Sequence, residues 1–152
     1  MSLLRPSRRS REHAVVEPVE RADVREYRYV LATADFETLA RLHRHALEIL
    51  DPLVRANILR AAQQRLLSGL DLTVDDRVQI AHLVTVGEIR TPGIMLAGLG
   101  GPALMRLAHA VVRDATDEGL LGGYEDWDGQ DAHQQESAMR LTRHLWGDAL
   151  LS

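Results

Sequence analysis

The strongest constraint on the fold is the spacing of apolar residues between positions 36 and 66. They recur every three or four residues, which is the repeat of one helix face. Asp51-Pro52 divides the run, because aspartate is a favoured N-cap and proline suits the first helical position. Two consecutive amphipathic helices are therefore predicted. Their apolar residues are Phe36, Leu39, Ala40, Ala46, Leu47 and Leu50, then Val54, Ile58, Leu59, Ala61, Ala62 and Leu66.

The rest of the chain shows further helix signals, no alternating β-branched run and no Asn-Gly hairpin signal. The fold class is therefore all-α: a single compact domain of six or seven helices over residues 19–152, after a flexible N-terminal arm over residues 1–18. Two further helices are predicted over Asp23–Thr33 and Ile94–Leu99. A helix that starts from a Thr73/Asp76 capping box is predicted to place these residues inward: Val74, Val78, Ala81, Val84 and Ile89. Pro102 opens another helix, with Arg106, His109 and Arg113 on its polar side, and a last helix carries Ala138 to Ala149.

Residue types exclude several chemistries. The chain has no cysteine, and all 18 of its basic residues are arginine, so thiolate catalysis, cysteine-ligated metals and Schiff-base lysines are ruled out. It also lacks the Gly-x-Ser-x-Gly and His-Glu-x-x-His patterns. We therefore interpret the protein as non-catalytic and expect no cofactor.

Two segments superficially suggest ligand loops. The glycines between Gly93 and Gly101 lack the Gly-Lys-Ser/Thr ending of a phosphate loop, and no strand precedes them, so we interpret them as helix ends. The acidic segment Glu125–Asp131 has the wrong glycine position for an EF-hand. It is interpreted as part of a solvated loop over Asp117–Asp131.

His43 is the histidine that falls on a buried stripe, between Leu39 and Leu47. One interpretation is a core histidine that is hydrogen-bonded to a backbone carbonyl. The other is a ligand residue of a small-molecule or metal-binding helical bundle.

The arm concentrates positive charge. Its four arginines lie within residues 1–11, which contain no acid: Arg5, Arg8, Arg9 and Arg11. They predict either a solubilising tail or a nonspecific binder of nucleic acid or of an anionic surface, since no aromatic residue is interleaved for base stacking.

The longest uncharged run, Thr91–Met105, is broken by proline and glycine and is too short to span a bilayer. No apolar stretch follows the basic arm, so no secretory signal is predicted and we expect a cytoplasmic protein. The apolar Ile94–Met105 part is not expected to fit wholly inside. The leading hypothesis is a helical interaction or regulatory module that binds a protein partner or self-associates.

The segment Tyr29–Leu66 resembles a stretch that recurs in small helical proteins of actinobacteria. The similar parts are Thr33-Ala34, Leu39 through His43, Leu50-Asp51-Pro52 and Arg55. Some members bear ATPase-like labels, but this chain has no Asp-Lys-Thr-Gly motif. The resemblance therefore implies a helical fold and assigns no site residue.

Overall fold

The computed structural model describes residues 21–129, and in this range helices are joined by turns and loops, with no strand. The predicted all-α class is confirmed. The arm and the helix predicted around residues 138–149 lie outside the described residues. The six α-helices of the described range are α1 (Ala22–Thr33), α2 (Phe36–Ile49), α3 (Pro52–Leu66), α4 (Arg77–Arg90), α5 (Ile94–Gly98) and α6 (Gly101–Asp117), followed by a 3-10 turn over Tyr124–Asp126.

Aspartates begin α2 and α3, as local sequence preference dictates. The Asp35 carboxylate accepts a hydrogen bond from the Thr38 N–H at 2.8 Å. The Asp51 carboxylate accepts from the N–H groups of Leu53 and Val54 at 3.0 and 3.1 Å. Each bond satisfies a donor that the helix itself leaves unpaired. The predicted cap at Asp51 is confirmed.

The predicted capping box at Thr73 is wrong. The Asp76 carboxylate accepts from the Thr73 N–H at 2.8 Å and Asp76 N–H donates to the Thr73 carbonyl at 3.0 Å, which closes a separate turn. Asp76 has a ψ of 60°, outside the helical region, so α4 begins only at Arg77. Val78, predicted to face inward, is 57% exposed.

The core is mainly aliphatic, in a chain of which only 4% is aromatic. Helix α2 packs against both α4 and α6, α1 packs along α6, and α3 contacts α4, α5 and α6. In the apolar Ile94–Met105 segment, Met95, Leu99 and Ala103 are buried. Leu104 and Met105 are only half-buried and Pro102 is exposed, so the expectation that the segment would not fit wholly inside is confirmed. The large apolar side chains most exposed within residues 21–129 are Ile49, Leu53, Leu67, Leu70 and Val78.

A buried arginine ties the α2–α3 junction together. Arg55 is 4% exposed, and its guanidinium donates to the carbonyls of Leu50 at 2.7 Å and Val74 at 3.1 Å, with Leu47 at 3.5 Å. The last carbonyls of a helix have no partner within it, so Arg55 supplies donors that α2 lacks. The Leu50-Asp51-Pro52 and Arg55 pattern is thus a structural junction.

Replacing Arg55 with leucine is expected to lower the free energy of unfolding by about 3 kcal/mol, because buried carbonyls lose their charged donor. Urea denaturation measures this. The matched control is Arg60→Leu, an exposed position on the same helix, where we expect a change within about 0.5 kcal/mol. Equal losses in the two variants would contradict the role of Arg55.

Candidate functional site

Three fully buried polar side chains connect α1, α2 and α4. The Tyr27 hydroxyl lies 2.8 Å from Nε2 of His43, and Nδ1 of His43 lies 2.7 Å from Oγ1 of Thr85. Thr85 Oγ1 in turn donates to the Ala81 carbonyl at 2.7 Å. We call Tyr27, His43 and Thr85 the buried polar chain.

The bonds of the buried polar chain have a definite direction. The Thr85 hydroxyl has one proton, and it goes to the Ala81 carbonyl, so Thr85 Oγ1 accepts from His43 Nδ1–H. A neutral imidazole then accepts at Nε2, and the Tyr27 hydroxyl donates there. His43 is therefore the neutral Nδ1–H tautomer, with both ring nitrogens satisfied.

Burial fixes the protonation states of two members of this chain. Desolvation lowers the pKa of His43 from 6.5 to about 4, so the ring is neutral near pH 7. Desolvation, with a smaller contribution from the charge of Glu88, raises the pKa of Tyr27 well above 10. The phenol therefore keeps the proton that it donates to His43.

Glu88 is a further fully buried polar group, on the same helix as Thr85. Its carboxylate accepts from the N–H groups of Gly93 at 2.8 Å and Met95 at 2.9 Å. It thus caps the start of α5, whose N-cap Gly93 has a positive φ of 86° and offers no side chain. Its role is to anchor a helix that is too short to be stable alone.

The buried polar chain leaves no vacancy for a ligand at His43. The predicted burial of His43 is confirmed, but the predicted carbonyl partner is wrong, because both partners are hydroxyl groups. Within residues 21–129, no cluster of three metal-ligating side chains occurs. A metal ion at Nε2 would have to displace Tyr27, so the geometry gives the ligand interpretation no support.

An apolar groove opens at the surface between the start of α1, the end of α2 and the outer face of α6. Its volume is about 430 Å³. Ile49, which is 55% exposed, forms part of its apolar lining. We call this cavity the α6 groove. Its lining residues are Ile49, Leu50, Met105 and Ala110, with the polar residues Asp23, Arg106, His109 and Arg113.

The basic residues of the α6 groove follow one stripe of α6. Arg106, His109 and Arg113 are spaced at i, i+3 and i+7, so they share a face, and all three are exposed. The sequence placed them on the polar side of this helix, but it gave no sign that Ile49 and Leu50 lie beside them. Arg106 also faces Asp51 at 3.6 Å in an exposed pair, which contributes little energy.

A second, more polar cavity of about 310 Å³ lies between α3 and the start of α6. Asn57, Arg60 and Gln64 line it together with the Gly98–Gly100 backbone. Gly100 precedes α6 and no side chain caps that helix. This agrees with the interpretation of the glycines as helix ends.

The predicted arm residues Arg5, Arg8, Arg9 and Arg11 lie outside the described residues, so polyanion binding stays a prediction. The described part of the acidic loop is held by other arginines. Arg25 donates to the Trp127 carbonyl at 3.0 Å, and its guanidinium lies 5.0 Å from the centre of the Trp127 ring. Arg41 donates to the Glu118 carboxylate from both terminal guanidinium nitrogens, Nη1 and Nη2, the latter at 2.8 Å. Side-chain contacts thus hold parts of a segment interpreted from sequence as solvated.

Comparison with models of known families, with curated proteins and with solved structures gives no match. The resemblance to actinobacterial proteins therefore stays a prediction. None of the helices within residues 21–129 has the length and apolar character needed to cross a bilayer.

Stability should fall in mild acid because of His43. Its folded pKa of about 4 lies below the unfolded value of 6.5, so between these pH values the unfolded chain binds more protons. This contribution is fully present above pH 6.5 and is lost as the pH falls towards 4. We expect it to cost about 2–3 kcal/mol between about pH 7.5 and about pH 4.5 in urea denaturation.

The His43→Gln variant should be less stable than the parent at neutral pH but should lose this part of the pH dependence. The control is His82→Gln, which changes an exposed histidine and should keep the parental profile. Identical pH profiles for the two variants would refute the assignment to His43.

Proposed function

We propose that the protein is a helical interaction module whose α6 groove binds an acidic amphipathic segment of a partner protein. The observation that carries this proposal is the combination of an apolar lining with a basic stripe in one cavity of about 430 Å³. Such an arrangement suits a segment with apolar side chains on one face and carboxylates beside them.

The α6 groove supplies the two contributions that a peptide site needs. Ile49 and Met105 offer apolar area, which gives affinity when a partner removes it from water. Arg106 and Arg113 offer charge that selects acidic partners and disfavours basic ones. Arginine also suits this task because its planar group binds carboxylates with two parallel hydrogen bonds.

A binding role also fits the rest of the described structure better than catalysis does. The fully buried groups His43, Thr85 and Glu88 all have internal hydrogen-bond partners, so none of them presents a reactive atom to solvent. The residues that line the α6 groove include no cysteine, serine or tyrosine nucleophile.

The test is a comparative capture experiment on cell extract. Arg106→Glu combined with Arg113→Glu should reduce capture of a groove-dependent partner by about tenfold or more, since two attractive charges become repulsive. The control, Arg60→Glu combined with Arg90→Glu, makes the same change in net charge at exposed positions outside the groove lining and should bind as the parent does.

The bound segment is identified by photocrosslinking from a single cysteine introduced at position 49, which is unique because the chain has none. We expect the crosslinked peptides to be acidic and amphipathic. If every captured protein binds the two double variants equally, or if the crosslinked segments are basic, the proposal is wrong.

A further inference from the structure

We propose that residues 14–20 of the same chain occupy the α6 groove and compete with the partner. This inference rests on the proposed function, since it assigns the regulation of the same groove. The segment reads Ala-Val-Val-Glu-Pro-Val-Glu and contains three valines, two glutamates and no basic residue. It has the apolar and acidic composition that we propose for the partner.

The position of the segment allows it to reach this groove. The described chain begins at Arg21, and Asp23, two residues later, lines the groove. Seven residues can extend over at most about 25 Å. The groove face of α6 from Met105 to Arg113 is only about 12 Å long, at 1.5 Å per residue. Residues 14–20 can therefore reach and cover it without any rearrangement of α1.

Charge complementarity supplies the second argument. Glu17 and Glu20 would lie near the stripe formed by Arg106, His109 and Arg113. Asp23 is the acid among the lining residues, and it lies at the end of the groove where the chain enters α1. The exposed Asp51 beside Arg106 is a weak competitor for that guanidinium.

The other end of the chain fits the groove less well. The described chain ends at Gly129, whose carbonyl accepts from Arg28 at 3.0 Å. Arg28 is five residues beyond Asp23 in α1, which places it about 140° around the helix from the groove. The helix predicted around residues 138–149 contains two arginines, Arg140 and Arg143, and one acid, Asp148, so its charge is not complementary to the basic rim.

The test uses the full chain with one reporter cysteine in the groove, Ile49→Cys, and measures its rate of reaction with a soluble thiol reagent. Glu17→Arg combined with Glu20→Arg should accelerate this reaction by about two- to tenfold. That range follows if a short tether gives a millimolar effective concentration and the dissociation constant lies between about that concentration and about one tenth of it. Adding Arg106→Glu and Arg113→Glu to the same chain restores opposite charges and should slow the reaction again.

Two controls make the result specific. A reporter at Val78→Cys, which is similarly exposed but does not line the groove, should react at the same rate in every background. Asp71→Arg combined with Glu125→Arg, a matched charge reversal at exposed positions, should leave the rate at position 49 unchanged. Circular dichroism of each variant confirms that the reporter reads a folded chain.

Three results would overturn the inference. The first is an unchanged rate at position 49 after reversal of Glu17 and Glu20. The second is the absence of any slowing when the rim is reversed as well. The third is a rate that varies over about a hundredfold range of protein concentration, which would assign the protection to a second copy.

The reporter assay needs no partner, so its outcome is separate from that of the capture experiment. Protection of position 49 without any groove-dependent partner would refute the proposed function alone. Groove-dependent capture with no protection would refute this inference alone. If both proposals are correct, Glu17→Arg with Glu20→Arg should also increase partner capture, because the competitor no longer binds.

Discussion

Helices α1, α2 and α4 are held in register by the hydrogen bonds that run from Tyr27 through His43 to Thr85. Packing among leucine, valine and alanine is favourable but non-directional, and it tolerates small sliding movements. The buried polar chain does not tolerate such sliding. Moving one helix past another would leave a buried phenol or imidazole nitrogen without a partner, at a cost of about 1–3 kcal/mol. The register of these helices is therefore set by the few polar side chains of the core, and aliphatic side chains fill the space around them.

The α6 groove lies at the C-terminal end of α2. Helix α2 ends after Ile49, because Asp51-Pro52 begins α3. The Arg55 guanidinium donates to the Leu50 carbonyl at this end of α2. This abrupt turn leaves Ile49 partly exposed beside the polar stripe of α6. The groove thus joins an apolar end of one helix to a basic face of another. A protein surface of this kind favours recognition of a segment that is both apolar and acidic.

Several features were predictable because they depend on residues close in sequence. The starts of α2 and α3 follow from Asp35 and Asp51, and the burial of His43 follows from its place between Leu39 and Leu47. The Thr73 capping box is wrong for a local reason: Asp76 is itself the residue before the helix, and its N–H donates to the Thr73 carbonyl and not to the Thr73 hydroxyl. The partners of His43 were not predictable, since Tyr27 and Thr85 lie 16 and 42 residues away in sequence.

The sequence by itself determined the helical class, most helix boundaries and the absence of cysteine and lysine chemistry, because each of these depends on residue type and short-range spacing. Only the tertiary structure decided that His43 is a neutral, fully bonded core residue and that Ile49 meets Arg106 and Arg113 in one groove. Those facts depend on which faces of distant helices meet, and amphipathic periodicity specifies that a face is buried without specifying its neighbour. The candidate site was therefore invisible in the sequence, although every residue that forms it had already been placed on a helix.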